Sequence, residues 1–154
     1  MTDEIIRLAF ICTGNSARSQ MAEGFARAWA ADRVIVESAG VRPFGLSQKA
    51  VAAMAEVGLD ISRHYSKGLD EIAPEQDFVI TLCDHADQFC GSLPAKRERL
   101  HWPIPDPVGP MGDRDDPLQS YRRARDLIAQ KIRQFLSTPA LLTDAPSQDA
   151  QAPR

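Results

Sequence analysis

The chain has 154 residues, 25% of them charged and 44% hydrophobic, with a formal net charge of −3 when His is neutral. That length is one domain's worth, enough to bury a core without metal or disulfide staples. The charge balance excludes a general attraction to nucleic acid or an anionic membrane, no segment approaches the ~20 apolar residues of a membrane span, and three cysteines fit no secreted disulfide framework.

The start, Met1-Thr2-Asp3-Glu4, is acidic and precedes only a short apolar run, which is not the pattern of a signal peptide. Together these features predict a cytoplasmic protein, with neither nucleic acid nor membrane as a partner, in which a cysteine serves chemistry. Ile5 to Ile11 is apolar and rich in β-branched residues, the pattern of a buried parallel strand. A run of small, turn-prone residues, Cys12 to Ala17, separates it from a helix predicted over Arg18 to Ala30, with Met21, Phe25 and Trp29 on one stripe. Val34 to Ser38 reads as a second strand ended by Ala39-Gly40. Ser47 reads as the N-cap of a helix running through Val57 and stopped by Gly58. A short helix is expected over Ser66 to Ile72, a third strand over Asp77 to Leu82, and another short helix from Asp84 toward Phe89. Leu100-His101-Trp102 is a weak fourth strand, followed by the Pro-rich loop Pro103 to Pro107. Asp116-Pro117 has cap and first-turn chemistry and opens a long helix to about Leu136, with Leu118, Tyr121, Ala124, Ile128, Ile132 and Phe135 facing in. The Pro, Ser, Asp, Ala and Gln composition of 138–154 predicts a disordered tail, leaving one domain over 1–137. Strands alternating with helices imply the α/β class: a parallel sheet with helices on both faces and right-handed crossovers.

The sharpest motif is Cys12-Thr13-Gly14-Asn15-Ser16-Ala17-Arg18-Ser19, set between a strand and a helix. Amides converging in such a turn and at a helix N-terminus form an anion-binding nest. Thr13, Gly14, Asn15, Ser16, Ala17 and Ser19 are small enough for the backbone to close round a tetrahedral oxyanion, and Arg18 can bind two of its oxygens. Cys12 at the floor meets the same dipoles, which favour a thiolate, and Ser19 can donate to the sulfur. A nucleophile beneath a bound oxyanion is the geometry for attack on phosphorus or arsenic. The competing reading is an inert buried cysteine ending a strand.

Cys12 to Gly24 resembles the signature of the arsenate reductases built on the low-molecular-weight protein tyrosine phosphatase fold, and the likeness runs from Ile6 to about Phe135. The expected architecture is a four-stranded parallel sheet in the order 2-1-3-4, with the site at its carboxyl edge near the switch point beside strand one. The loop alone does not separate a reductase from a phosphatase; the other two cysteines must. Cys83 follows the third strand as Cys12 follows the first. Adjacent strands lie ~4.8 Å apart and a disulfide needs Cα atoms ~4.4–6.8 Å apart, so a Cys12–Cys83 bond requires modest movement. Cys90 is seven residues further on, about 10 Å away along a helix, so joining it to Cys83 requires that helix to unwind.

Thr81 to Cys90 is similar to the thioredoxin-coupled branch, and the resemblance implies a relay. Cys12 attacks arsenate, Cys83 attacks Cys12 as arsenite leaves, and Cys90 carries the oxidation outward as a Cys83–Cys90 disulfide. Thioredoxin or another thiol reductant restores the enzyme, with phosphate or sulfate as competing anions. Asp106-Pro107 matches the Asp-Pro of the family's mobile general-acid loop; Asp113, Asp115 and Asp116 are rival carboxylates better suited to loop solvation and capping. Two core cysteines, or a zinc set of Cys83, His85, Cys90 and His101, are the alternatives for the relay, though the latter spacing matches no common zinc pattern. Some members of the reductase family hold potassium near the loop. Asn15, Glu23 and Ser38 match three of those positions, but the fourth, an acid in those members, is Lys67 here. An ammonium there repels a cation, so no potassium, no other metal and no cofactor are expected. Ala17 stands where many relatives carry a loop cysteine, so any resolving thiol must come from elsewhere. His64, His85 and His101 read as structural, as do Trp29 and Trp102.

The reading is therefore a monomeric arsenate reductase. One rival is a phosphatase acting on phosphotyrosine or small phosphomonoesters, which needs only Cys12, Arg18 and Asp106; the sequence lacks an obvious aromatic wall for phosphotyrosine, the loop residues Phe44 and Tyr65 being the candidates. Another is an oxyanion-binding or redox-sensing module using the same nest.

Overall fold

The computed structural model describes residues 5–83, 93–107 and 116–137. Four strands, β1 (Ile6–Cys12), β2 (Val34–Gly40), β3 (Gln76–Thr81) and β4 (Ala95–His101), form one sheet in the order β2-β1-β3-β4. Every pairing is parallel. The central strand β1 is buried on both faces, which is why Ile6, Leu8, Ala9, Phe10 and Ile11 run without polar alternation. Among the described residues three α-helices accompany the sheet: α1 (Arg18–Trp29), α2 (Gln48–Ala55) and α3 (Gln119–Leu136).

The helices bury the stripes that their periodicity marks. Met21 and Phe25 of α1 and Tyr121, Ala124, Ile128 and Ile132 of α3 join one core with β1 and β3. Trp29, at the end of the α1 stripe, is instead 39% exposed and lies beneath the Arg133 guanidinium, 4.7 Å from the ring centre. Trp102 is core, packed against Phe10 and Phe135.

Element boundaries move where charge or caps mislead. β4 begins at Ala95 rather than Leu100, because Lys96, Arg97, Glu98 and Arg99 lie on the sheet's edge strand, where charge is tolerated and discourages pairing with another sheet. α3 starts at Gln119, two residues beyond the expected first turn: Asp116 Oδ1 accepts from Leu118 N at 3.1 Å and forms a turn ahead of the helix. Ser47 caps α2 as read, accepting from Ala50 N. The helix expected over Ser66 to Ile72 is a single 3-10 turn, Leu69–Glu71. The expected helix after Asp84, Cys90, His85, Asp113, Asp115 and the tail after Ser137 lie outside the described residues. Among the described residues no helix is long and apolar enough to cross a membrane.

Candidate active site

β1 delivers Cys12 to the carboxyl edge of the sheet, and the chain turns through residues 13–17 into α1. The carbonyls of this loop all point outward and are all taken. Cys12 O accepts from Val41 N at 3.2 Å, Thr13 O from Arg42 N at 2.8 Å, Gly14 O from Phe44 N at 3.2 Å and Ser16 O from Ser47 N at 2.9 Å. Asn15 O accepts from Ser66 Oγ at 2.6 Å and from Gln20 Nε2 at 3.2 Å. With the oxygens held outside, the amides of the same peptides face inward. The N-terminus of α1 at Ala17 has no side-chain cap, so its first-turn donors remain for an anion. Asn15 adopts a left-handed backbone, φ 47°, the bend that folds successive amides into a nest.

Cys12 is buried at the floor, its Sγ 2.9 Å from Ser19 Oγ. Arg18 is mostly buried; one guanidinium nitrogen donates to Ile104 O at 3.0 Å and another lies 3.8 Å from Asp106 Oδ2. The loop carrying Asp106 thus leans over the nest, and Ile104 N in turn donates to Leu82 O at 3.1 Å. Asp106 itself is more than half exposed.

β1 and β3 are neighbours, with Ile11 level with Thr81. Cys83 therefore falls one residue beyond the level of Cys12. Its buried sulfur lies 3.2 Å from Thr13 Oγ1, so a loop residue adjacent to Cys12 touches the second thiol. Both sulfurs are free thiols. Among the described residues no cluster of His, Cys, Asp and Glu has metal-binding geometry, and His101 is engaged with Thr81 Oγ1 at 2.9 Å.

Gln20 and Gly40, which sequence reasoning missed, hold this arrangement together with His64, which it read as structural. Gln20, fully buried, donates to Asn15 Oδ1 at 3.0 Å and to Tyr65 O at 2.9 Å. His64 Nδ1 meets Gln20 Oε1 at 2.9 Å; because the amide oxygen only accepts, Nδ1 carries the proton. Burial pushes the His64 pKa below its ordinary value, opposed by the charge of Glu23. Gly40 sits level with Cys12, its Cα against the loop backbone. Gln20 with Tyr65 and His64, and Gly40 with the loop backbone, meet through the fold, so no local pattern displays their role. Phe44 and Tyr65 stand exposed at the rim, the Phe44 ring over Gly14.

Comparison with known proteins agrees with this geometry. The profile of a family described as low molecular weight phosphotyrosine protein phosphatase matches residues 7–145. An arsenate reductase of Halalkalibacterium halodurans is 42% identical over 84% of this chain and 94% of its own length. One from Staphylococcus aureus is 46% identical over 83% and 94% respectively. The chain belongs to this phosphatase family, on its arsenate reductase branch. Within the family, a solved arsenate reductase in the phosphate-binding state superposes with a TM-score of 0.74 at 29% identity, covering 86% of this chain and 98% of that one. A low molecular weight protein tyrosine phosphatase from T. tengcongensis superposes at 0.69 with 27% identity, covering 85% and 97%.

Proposed function

We propose that this protein reduces arsenate to arsenite through a relay of cysteine thiols. The observation that carries the reading is the 3.2 Å contact between Thr13 Oγ1 and Cys83 Sγ, which sets a second thiol beside the loop that holds Cys12. Hydrolysis of a phosphate ester needs no such thiol; reduction of arsenic does.

In this reading the inward amides of residues 13–19 and the Arg18 guanidinium bind the oxyanion. Ser19 donates to Cys12 Sγ, which attacks arsenic; an oxygen leaves as water, with its proton supplied by Asp106. Cys83 then attacks the Cys12 sulfur. The sulfur–arsenic bond breaks, its electron pair stays on arsenic, and pentavalent arsenic departs as trivalent arsenite, leaving a Cys12–Cys83 disulfide. Cys90 attacks Cys83, freeing the Cys12 thiolate and moving the oxidation to a Cys83–Cys90 pair. A thioredoxin-type dithiol accepts it by thiol–disulfide exchange. The chain acts as a monomer in the reducing cytoplasm, where such dithiols are maintained.

Mass spectrometry after a single turnover with arsenate and no reductant tests the scheme. The expected product is lighter by a pair of hydrogens and yields a linked Cys83–Cys90 peptide. Protein of unchanged mass alongside consumed arsenate sinks the relay.

A further inference from the structure

Beneath the loop a line of polar contacts runs from Cys12 to a buried charge that the reaction scheme does not use. Glu23 is 3% exposed and Lys67 is 8% exposed. The Lys67 ammonium lies 3.8 Å from Glu23 Oε1 and donates to Tyr65 O at 3.1 Å, with its charge 4.6 Å from the Tyr65 ring centre. Glu23 Oε2 accepts from Arg27 Nε at 2.7 Å. Arg27 and Lys67 are thus the two cations facing Glu23, and His64 reaches the same cluster through Gln20.

The direction of the line follows from donor and acceptor chemistry. An ionised carboxylate only accepts, so Ser38 gives its proton to Glu23 Oε1, at 2.5 Å. Ser38 Oγ then accepts from Asn15 Nδ2 at 3.0 Å. The Asn15 amide is fixed in this sense independently, because its Oδ1 accepts from Lys67 N at 2.8 Å and from Gln20 Nε2 at 3.0 Å. The same Nδ2 donates to Ser19 Oγ at 2.8 Å. A serine oxygen so occupied keeps its own proton for the remaining neighbour, Cys12 Sγ at 2.9 Å.

The oxygens that the family resemblance marks for a potassium ion are here engaged by proton donors: Glu23 by Ser38 and Arg27, Asn15 Oδ1 by Lys67 N and Gln20, Ser38 by Asn15. A positive charge already stands against Glu23, and a potassium ion does not fit beside it.

We propose that Lys67 is a positioning residue for Cys12: its buried ammonium is the chain's own cation beneath the loop, paired with Glu23 and thereby keeping Ser38, Asn15 and Ser19 aligned so that the Ser19 hydroxyl points at the Cys12 sulfur. This rests on the reading of Cys12 as the nucleophile. Its test follows alkylation of Cys12 rather than arsenate turnover, so the two readings fail separately.

Full-length protein is labelled with iodoacetamide across pH, the Cys12 peptide is quantified, and thermal unfolding is recorded in KCl and NaCl of equal ionic strength. Wild type is expected to label and melt alike in the two salts. Lys67→Met labels Cys12 about fivefold more slowly near pH 6, with the midpoint of its pH profile moved upward, as loss of the aligned Ser19 donor requires. Lys67→Ala behaves likewise and is partly restored by KCl but not by NaCl. Labelling of Lys67→Met at the wild-type rate and midpoint overturns the proposal. So does a saturable, potassium-specific rise in wild-type melting temperature, a measurement that stands even if the variants fail to fold.

Discussion

Gly40 ends β2 level with Cys12, and a methyl group there meets main chain. A Cβ built on Gly40 lies 2.7 Å from Asn15 N, 2.7 Å from Thr13 O and 2.9 Å from Gly14 C, whereas ordinary contact begins at 3.4 Å. Gly40→Ala must therefore displace the anion loop by about 0.7 Å, because β2 is held to β1 along its whole length and cannot recede alone. Overpacking of this kind costs roughly 1–3 kcal/mol of stability. The amide of Asn15 moves with the loop, so inorganic phosphate is expected to bind about tenfold more weakly, about 1.4 kcal/mol. Gly14→Ala is the control. Its Cβ falls 2.1 Å from the Phe44 ring, a worse clash on paper, but Phe44 is 72% exposed and can rotate into solvent. Phosphate affinity there should stay within about twofold of wild type, about 0.4 kcal/mol. Neither glycine has a positive φ, so contact and not backbone strain is being tested. Calorimetric titration with phosphate, alongside thermal unfolding, reads both. Wild-type affinity in Gly40→Ala, or a larger loss in Gly14→Ala, refutes the reasoning.

Cys83→Ser should abolish multiple-turnover arsenate reduction while sparing slow hydrolysis of an aryl phosphate, which needs only Cys12, Arg18 and Asp106; a parallel fall in both activities counts against separate roles. Thr13→Val removes the hydroxyl beside Cys83 Sγ, so arsenite release in a single-turnover assay should slow while phosphate affinity is retained. Asp106→Asn should lower turnover about 100-fold, the ordinary scale of a general acid, and flatten the alkaline limb of the rate profile. The guanidinium groups of Arg122 and Arg125 hold the Glu56 carboxyl down from 4.5 to about 2. Its contribution to stability is complete above its unfolded value and is lost as pH falls from about 4.5 toward 2. Glu56→Gln should therefore show a shallower decline in urea midpoint across that window, and an unchanged decline discounts the ion cluster.

Where local chemistry and global placement agree, the sequence speaks clearly. The apolar run of β1, the small residues of the loop and the stripe of α1 all lie within one stretch of chain, so the nest with Cys12 and Arg18 was legible. β4 was half hidden, because period and apolarity mark burial, and an edge strand with Arg97 paired to Asp77 and Lys96 to Glu75 displays neither. The start of α3 was misplaced because Asp116 uses its side chain for a turn two residues ahead of the helix. Ser66, Gln20 and Gly40 were invisible as supports, since their value lies in meeting Asn15 and its neighbours through the fold; serine, glutamine and glycine have no pattern of their own. Lys67 was noticed only as a departure from relatives, and its burial against Glu23 is what gives that departure a physical meaning.

A receptacle lined by peptide amides, its carbonyls tied down on the outside, measures shape and charge and nothing else. Phosphate and arsenate are both tetrahedral dianions of nearly equal size, so such a receptacle admits either guest. Sorting is deferred until after entry. Thiols reduce pentavalent arsenic and do not reduce pentavalent phosphorus, so selectivity resides in redox reactivity rather than in the receptacle.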